Sequence, residues 1–380
     1  MTRTGNTVEE RTGALPGDED GATGTTGGRG GAGTPQPGRR RAPRLRKVLV
    51  WTLAAALLLL GASAGYGWWR ADRAADSVAR IPHALPDLPE RQQPPPADGV
   101  TFLLVGLDTR SPVPTTGEAA QAPAWRVGAS RSDTMMLFHL SGDRSDATVV
   151  SLPRDTWTDI PGHGRAKLNA AYSWGGPALA VRTVQDLTGV RVDHLAVVDW
   201  NGFRSLTDAV GGVDVTVARD VPGLGGAPAR RAGRHHFDGE EALAYVRERK
   251  GLPRGDLDRT KRQQNFLRAL MQQVLSADTL SSPSRVSGLL DSVGRVVGVD
   301  EELSNGDMYD LAWSMRGLRS SDVRFLNAPV SGLDTIDGQS VVLLDRGRAE
   351  PLWRAMRNDA LPEYLAAHRT DGLGGPDSVR

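Results

Sequence analysis

An uncharged apolar run near the N-terminus constrains this chain more than any other stretch. Val48–Trp69 reads VLVWTLAAALLLLGASAGYGWW and directly follows the basic run Arg39–Lys47. As a helix it would extend about 33 Å, which is enough to cross the hydrocarbon core of a bilayer. Tyr66, Trp68 and Trp69 at its far end are typical of a membrane interface. The sequence therefore predicts one transmembrane helix over residues 48–69.

The basic run predicts the orientation of this helix. Positive charge is retained on the cytoplasmic side, so residues 1–47 are expected in the cytoplasm and everything after Trp69 outside it. A cleaved signal peptide is the alternative, because the Ala-rich end has a cleavage-like composition. The apolar run is longer than the apolar core of such peptides, which favours a retained single-pass anchor in the cell membrane.

Composition divides the rest of the chain. Residues 1–47 are rich in Gly, Thr, Pro and charge, which predicts a disordered cytoplasmic tail. Residues 70–99 end in the proline-rich sequence RQQPPPADG and are interpreted as a juxtamembrane linker. A folded extracytoplasmic domain is expected over residues 100–359, followed by a polar tail, residues 360–380, that frays.

Several classes of chemistry are excluded or disfavoured. The chain of 380 residues has no cysteine, which excludes disulfides, thiolate catalysis and cysteine-ligated metals. It has no GxSxG nucleophile elbow after a predicted strand and no GxxxxGK[ST] motif. His163, His235 and His236 lack metal-site spacing and are interpreted as solvated side chains. The net charge is +1, and the basic cluster described below contains acidic residues, so nucleic acid is not expected as a partner.

The domain begins with three apolar runs that predict strands, Val100–Leu107, Thr134–Leu140 and Ala147–Leu152. If they form an antiparallel meander, the end of the first, the start of the second and the end of the third share one edge of the sheet. Each polar residue there could simply terminate a strand. Two carboxylates and two guanidiniums at one edge favour a site instead, and they are Asp108, Arg131, Asp133 and Arg154.

Helices and strands alternate further along, which predicts an α/β domain with a central mixed β-sheet flanked by helices. The predicted helices are Pro177–Leu187, closed by Gly189; a helix capped by Asn201 that reaches Val210; one starting near Asp238; one after Arg259; and Val286–Val297 and Ser304–Met315. The further predicted strands are Leu195–Trp200, Val213–Val217, Val323–Leu326 and Val341–Leu344.

A basic stretch, Tyr245–Gln264, reads YVRERKGLPRGDLDRTKRQQ and runs into an apolar helix. Such clusters are usually solvated surface. At about 100° per residue, however, Arg259 and Gln263 fall on the helix's apolar stripe, whereas Arg262 falls well off its centre. If the chain is extended at Arg247 and Arg249, these two side chains point to one face. An inward guanidinium in the first turn of a helix predicts an anion site for phosphate.

Carboxylates and phosphate oxygens together suit Mg²⁺, and arginines suit a phosphoryl group that is being transferred. Outside the membrane, a lipid-linked pyrophosphate is favoured over ATP as the phosphoryl donor.

The motifs LLVGLDTR, RSDTMML, VVSLPRDTW, KLNAAYSWGG, DLTGVRVDH, FDGEEALAYVRERK and GDLDRTKRQQ occur in this order. Together they resemble the LytR-CpsA-Psr (LCP) family over about residues 100–275, with weaker similarity to about residue 359. The resemblance implies a membrane-anchored extracytoplasmic α/β transferase. Such enzymes move a glycopolymer from a polyprenyl-pyrophosphate carrier to peptidoglycan with Mg²⁺, typically onto the 6-hydroxyl of N-acetylmuramic acid. The abundance of Gly, Ala and Arg leans towards an actinobacterial type.

The resemblance also implies roles for individual residues. The metal-related aspartates correspond to Asp108 and Asp133. The long loop, residues 111–130, between them departs from the family pattern and leaves their approach geometry open. The pyrophosphate-binding and catalytic residues correspond to Arg131, Arg154, Arg247, Arg249, Arg259 and Asp256, with Lys167 and Gln263 as further substrate-binding positions.

The implied reaction is attack of the acceptor hydroxyl on the sugar-linked phosphorus, with polyprenyl phosphate leaving. Asp108 and Asp256 are both candidates for the general base. The polyprenyl chain would need an apolar tunnel among the helices after Thr260.

The alternatives to a transferase are a membrane-bound transcriptional regulator or attenuator and a lipid-pyrophosphate hydrolase or binding protein. The predicted topology disfavours the regulator. The polymer, whether teichoic acid, capsule-like polysaccharide or arabinogalactan, is left open.

Overall fold

The computed structural model describes residues 78–87, 98–109, 130–220, 230–248, 256–274, 293–294, 296–368 and 372–374. Only the backbone is described at Thr109, Ser130, Arg131, Asp256, Leu257 and Tyr309. The predicted cytoplasmic tail, the predicted transmembrane helix Val48–Trp69 and the loop 111–129 lie outside these residues. Within the described ranges, no helix has both the length and the apolar character needed to cross a bilayer.

The described elements alternate between strands and helices. The strands are β1 (Ala79–Ile81), β2 (Val100–Thr109), β3 (Ser130–Leu140), β4 (Ala147–Leu152), β5 (Trp157–Ile160), β6 (Gly164–Lys167), β7 (His194–Asp199), β8 (Val213–Val217), β9 (Gly233–Phe237), β10 (Val297–Asp300), β11 (Val323–Asn327), β12 (Val330–Ile336) and β13 (Gln339–Leu344). The helices are α1 (Leu168–Thr188), α2 (Trp200–Ala209), α3 (Gly239–Arg247), α4 (Asp256–Val274), α5 (Asn305–Ser314), α6 (Arg346–Arg357) and α7 (Leu361–Ala367).

A seven-stranded mixed sheet, in the order β1-β10-β7-β2-β3-β4-β11, forms the centre. β2, β3 and β4 are consecutive antiparallel neighbours, so the predicted meander is confirmed. β7 runs parallel to β2, and β11 runs parallel to β4. β4 reads ATVVSL and is buried along its whole length, as a strand covered on both faces should be. The predicted α/β class with a mixed sheet is confirmed.

Both faces of the sheet carry a hydrophobic core. On one face, alternate residues of β2 such as Leu103 and Leu107 pack with α1, α6 and α7. On the other, Met136 of β3 and Phe325 of β11 pack against Leu267 of α4 and Leu311 of α5. Strands with apolar side chains on both sides require such two-sided cover. Burial of this apolar area is the main favourable term in the stability of the domain.

Several sequence predictions were displaced or wrong. α1 begins at Leu168 rather than Pro177, and it is interrupted at Gly176, whose φ of 68° and ψ of −156° are not helical. Pro177 follows this break because proline is tolerated at the start of a helical segment. α2 is capped by Asp199, whose side chain accepts from the Gly202 N–H at 2.8 Å, and not by Asn201. Val297 begins strand β10 instead of ending a helix.

The linker boundary at residue 99 was also wrong. β1 lies within the predicted juxtamembrane linker, yet it pairs in parallel with β10 and adds a strand to the central sheet. Ile81 is fully buried in the core. A three-residue strand carries too little periodic pattern to be recognised before its partner is known.

The hairpin β12–β13 was only half predicted. Its turn is Asp337-Gly338, and both residues have positive φ, 50° and 71°. Asp-Gly flanked by apolar residues is a strong signal for a two-residue hairpin turn, so this sequence feature could have identified the missing strand. The Val342 N–H donates to the Asp155 carbonyl at 2.9 Å, which attaches the hairpin to the segment that follows β4.

The C-terminal boundary at Asp359 was wrong as well, because the chain continues into the core. Leu361 and Tyr364 of α7 are buried with α6. Asp359 itself accepts from the Gly142 N–H at 2.8 Å and contacts His139 Nε2 at 2.9 Å. The other ring nitrogen of His139 lies 2.9 Å from Thr101 Oγ1. Asp359 therefore joins the C-terminal helices to the β3–β4 turn.

Replacing Asp359 with alanine is expected to lower the free energy of unfolding by about 1–3 kcal/mol, because it leaves buried donors without their acceptor. Asp359→Asn should cost less, since asparagine keeps an acceptor and tolerates the positive φ of 53°. Chemical denaturation monitored by circular dichroism measures both. Glu363→Ala, at an exposed position of α7, is the control. Equal stability of Asp359→Ala and Glu363→Ala would contradict the structural role.

Candidate functional site

A β-bulge places the two predicted metal aspartates at one edge of the central sheet. Asp108 pairs with Arg131 between β2 and β3, as the meander predicts. The register then shifts, so that Leu107 pairs with Ser132 and Gly106 with Thr134. Asp133 is thus the extra residue of the bulge. Bulges redirect a side chain and are frequent next to active sites.

Asp133 is the centre of a charge cluster at this edge. Its side chain is 8% exposed. Arg154, which follows β4, donates a hydrogen bond from Nη1 to Asp133 Oδ1. Arg259 Nη1 lies 4.0 Å from Asp133 Oδ2, and Arg259 Nη2 donates to the Asp133 carbonyl at 3.4 Å. Two arginines from different elements therefore meet one carboxylate.

Arg259 reaches this edge because α4 packs directly over it. Arg259 lies in the first turn of α4 and is 2% exposed, so its predicted inward orientation is confirmed. One turn later, Gln263 Oε1 accepts a hydrogen bond from Thr134 Oγ1 at 3.0 Å. The strand edge and the helix start therefore meet in one place, which the sequence could only suggest.

Asp108 lies in a second, more open part of the cluster. The indole Nε1 of Trp200 donates to Asp108 Oδ1 at 2.9 Å. Arg247 Nη2 lies 3.8 Å from the same oxygen, and its guanidinium stacks 5.2 Å from the centre of the Trp200 ring. Sequence reasoning missed Trp200. Its position at the end of the predicted strand Leu195–Trp200 is the signal that could have pointed to it.

Lys167 joins the cluster through Asp155, another residue not predicted as part of the site. Lys167 Nζ lies 3.4 Å from Asp155 Oδ1, and Arg154 Nε lies 3.6 Å from Asp155 Oδ2. Two backbone hydrogen bonds hold the start of α1 close to the segment that follows β4. The Asn169 N–H donates to the Arg154 carbonyl at 2.9 Å, and the Leu168 N–H donates to the Thr156 carbonyl at 2.8 Å. The KLNAAY motif is therefore adjacent to the LPRD motif.

The predicted outward position of Arg262 is wrong. Arg262 is 5% exposed, and its guanidinium lies 5.3 Å from the centre of the Tyr245 ring. Burial lowers the pKa of Arg262, and burial also raises the pKa of Tyr245. The prediction assumed one buried helix face, whereas α4 packs on the sheet and also against α3 and β8.

Two amides show how tightly α4 is enclosed. Gln264 Nε2 donates to Ser151 Oγ at 2.8 Å and to the Leu326 carbonyl at 2.5 Å, so α4 is tied to β4 and β11. On its other side, Asn265 Nδ2 donates to the Thr216 carbonyl of β8 at 3.0 Å. Buried polar groups that are hydrogen-bonded in this way fix the position of a helix. They hold Arg259 in register with the strand edge.

The remaining predicted residues are placed only in part. Arg131 and Asp256 have described backbones, at the start of β3 and the start of α4, and Arg249 lies outside the described residues. Arg247 and Arg249 were expected to point to one face of an extended segment. Arg247 is instead the last residue of helix α3, so this expectation is wrong at Arg247.

An apolar cavity opens beside the cluster, between the sheet and helices α2, α3 and α4. Its volume is about 220 Å³. Gln263, Thr134 and Trp200 form its polar end, next to the arginines. The rest of the wall is almost entirely hydrophobic, including Phe203, Leu206, Val246, Phe266, Leu267 and Leu270. The apolar tunnel was expected among the helices after Thr260, whereas this cavity is lined by α4 together with the sheet and the earlier helices α2 and α3.

In the part of the chain that the structure describes, no set of three or more histidine, aspartate or glutamate side chains is arranged to hold a metal ion. His235 Nε2 lies 2.7 Å from the Arg231 carbonyl, and His236 Nδ1 lies 3.0 Å from Asp214, both at exposed positions. Asp108, Asp133 and Asp155 are described carboxylates of the charge cluster.

The comparisons with known proteins agree with this fold. Residues 79–358 match the model of the LytR_cpsA_psr family. The cell wall biosynthesis protein LcpA of Corynebacterium glutamicum is 38% identical over 301 residues, covering 70% of this chain and 57% of LcpA. The chain thus spans less than two thirds of that relative's length.

Two further proteins resemble the chain. The polyisoprenyl-teichoic acid–peptidoglycan teichoic acid transferase TagU of Bacillus mycoides is 32% identical over 244 residues, covering 64% of this chain and 72% of TagU. A solved structure of TagT bound to LI-WTA superposes with a TM-score of 0.54 and 25% identity, covering 71% of this chain and 96% of TagT. A family match over most of the chain, with the same fold, shows that this protein belongs to the LytR_cpsA_psr family.

Proposed function

We propose that this protein transfers a glycopolymer from a polyprenyl-pyrophosphate carrier to peptidoglycan. One observation carries the proposal: the arginine–carboxylate cluster around Asp133 lies at the polar end of an apolar cavity. A lipid pyrophosphate needs cationic groups for its phosphates and an apolar volume for its chain, side by side. The printed names of TagU and of TagT bound to LI-WTA support a substrate of this kind.

The arginines are proposed to bind the pyrophosphate. Guanidinium groups bind phosphate oxygens bidentately, and they stabilise charge that develops during phosphoryl transfer. Arg154 and Arg259 approach different carboxylate oxygens of Asp133, and Arg247 lies near Asp108. In the structure these arginines pair with the carboxylates. We propose that phosphate oxygens take over part of these pairings, with Arg131 and Arg249 as further candidates from the family motifs.

Asp108 and Asp133 are proposed to hold Mg²⁺. This ion commonly binds one or two protein carboxylates together with substrate phosphates and water. Two carboxylates on adjacent strands fit that donor set, and Asp108 is partly open to solvent. When bound, the ion would neutralise charge on the pyrophosphate.

The reaction would form a bond between the acceptor hydroxyl oxygen and the phosphorus that carries the glycopolymer. The bond from that phosphorus to the polyprenyl phosphate oxygen breaks, and polyprenyl phosphate leaves with its chain in the apolar cavity. The hydroxyl proton passes to a base. Asp108 is the base candidate whose side chain the structure describes, and Asp256 is the other candidate. The domain is proposed to act outside the cytoplasm, held by the predicted helix Val48–Trp69.

The test is transfer of label by the purified full chain in detergent. With a polyprenyl-pyrophosphate-linked labelled saccharide, peptidoglycan fragments and Mg²⁺, label should appear on the fragments, and a chelator should stop its appearance. Asp133→Ala should lower the rate by about a hundredfold or more, because a charge-stabilising group is lost. Asp214→Ala, at an exposed ion pair of the β8–β9 hairpin, should leave the rate unchanged.

Two outcomes would count against transfer. Label that stays on the lipid would refute the proposed transferase activity. Label released into water at the same rate with and without acceptor would favour the lipid-pyrophosphate hydrolase.

A further inference from the structure

A second cavity, here called the polar cavity, contacts the same cluster through different residues. Its volume is about 470 Å³, and its wall includes Arg154, Asp155 and Lys167. The apolar cavity contacts the cluster through Thr134 and Gln263 instead. The charge cluster therefore has an apolar space at one end and a polar space at the other.

The polar cavity has aromatic walls as well as polar ones. Trp157 and Trp174 both line it. Trp174 is 42% exposed, and its ring lies 5.2 Å from that of His163. Arg165 holds its guanidinium 6.0 Å from the centre of the Trp157 ring. An exposed tryptophan beside a half-buried one at the wall of a polar cavity indicates a ligand with both apolar and polar faces.

The cavity continues along the surface. Trp157 and Arg165 also line an adjoining cavity of about 320 Å³, whose wall includes Asp186 and Glu350. The two spaces share these side chains and are therefore neighbours on the surface; together they are here called the track, and Arg154 lines its polar-cavity part. The hairpin β12–β13 closes one side, because Asp337 and Gln339 at its turn line the polar cavity. The backbone hydrogen bond from Val342 to Asp155 holds this wall in place.

A saccharide chain fits this combination of groups. A pyranose ring presents C–H groups on its faces, which pack on indole rings, and hydroxyl and amide groups at its rim, which hydrogen-bond to polar side chains. Asn169 and Ser173 supply such groups beside Trp174. An extended track suits a chain of several sugars better than a single small molecule.

We propose that the polar cavity and its continuation bind an amino-sugar glycan and position it at Arg154. This inference rests on the proposed transferase function and assigns a saccharide site to it. The peptidoglycan acceptor is built from such sugars and the glycopolymer donor also carries saccharide, so the experiment separates these two sources. Trp174 provides the stacking surface, and Arg165 and Asn169 provide polar contacts along the track.

Calorimetric titration of the purified full chain tests the site with two probes. One is a peptidoglycan glycan strand freed of its peptides by an amidase. The other is the lipid-free glycopolymer with a terminal phosphate. Trp174→Ala should weaken binding of one probe about tenfold, as loss of a central aromatic contact does. Trp174→Phe, which keeps a ring, should recover part of the affinity.

Trp313→Ala is the matched control. Trp313 is also an exposed tryptophan beside an arginine, with Arg316 at 4.8 Å, but it lies on α5 and not in either cavity. The affinity of the Trp313→Ala variant for both probes should equal that of the unmodified chain. Melting temperatures of all variants should agree, because Trp174 is exposed.

Each outcome decides the inference. Weaker binding of the strand alone assigns the cavity to the acceptor, and weaker binding of the lipid-free polymer alone assigns it to the donor. Unchanged affinity of Trp174→Ala for both probes, or no binding of either by a chain that still transfers label, would overturn the saccharide site. Strand binding that depends on Trp174 in a chain with no transfer activity would instead refute only the proposed function.

Discussion

Arg259→Ala is expected to lower the rate of glycopolymer transfer by about a thousandfold or more, the loss found when a charge-stabilising arginine is removed from a phosphoryl-transfer site. Arg259 is buried in the first turn of α4, and its Nη1 lies 4.0 Å from Asp133 Oδ2. The transfer assay with labelled lipid-linked saccharide measures the effect.

Arg259→Lys separates charge from geometry. Lysine keeps the positive charge in the same helix but cannot form the planar bidentate contacts of a guanidinium. Its transfer rate should therefore also fall steeply, while circular dichroism shows a folded chain. Arg204→Ala removes an arginine of α2 that forms a solvent-exposed ion pair with Glu240 of α3. This variant should retain the full rate. An Arg259→Ala chain that keeps more than about a tenth of the rate would exclude a direct role in the reaction.

Arg262→Ala is expected to act on stability instead, lowering the free energy of unfolding by about 2–4 kcal/mol. Arg262 is buried against the Tyr245 ring and close to the charges of Glu248 and Asp258. Asp258 is itself 1% exposed, so removal of Arg262 takes a cation from a buried carboxylate. Such a loss is costly because the remaining charge stays out of water. Denaturant unfolding measures it.

Arg316→Ala is the matched control for Arg262. Arg316 also stacks over an aromatic ring, that of Trp313 at 4.8 Å, but it is exposed on the surface. Its removal should change stability by no more than about 0.5 kcal/mol. The folded fraction of Arg262→Ala should transfer label better than Arg259→Ala does. Equal loss of transfer in the two variants would contradict the separation of a site arginine from a structural one.

The site was predictable from sequence where local patterns decide geometry. Three apolar runs joined as a meander bring Asp108 and Arg154 to one edge whatever packs above them, because antiparallel neighbours alternate their ends. Helical phase placed Arg259 correctly for a similar reason, since a first-turn residue on an apolar stripe must face the core. Both arguments depend only on residues that are close together in the sequence.

The errors share one physical cause, which is contact between segments far apart in the chain. Arg262 is buried because α3 and β8 cover the side of α4 away from the sheet. Trp200 and Asp155 belong to the cluster because β7 lies beside β2 and because α1 starts next to Arg154. Ile81 and Leu361 enter the core from segments interpreted as linker and tail. Periodicity within a segment carries no information about such partners.

By itself, the sequence determined the family, the α/β class, the antiparallel meander of β2, β3 and β4 and the inward position of Arg259, because motif order and local periodicity are properties of the chain itself. Only the tertiary structure decided which charges meet. The bulge at Asp133, the cover over α4 and the hairpin beside Asp155 produce one charge cluster with an apolar cavity at one end and a polar one at the other. Such juxtapositions arise from packing between distant elements, and packing depends on the whole core rather than on any one motif.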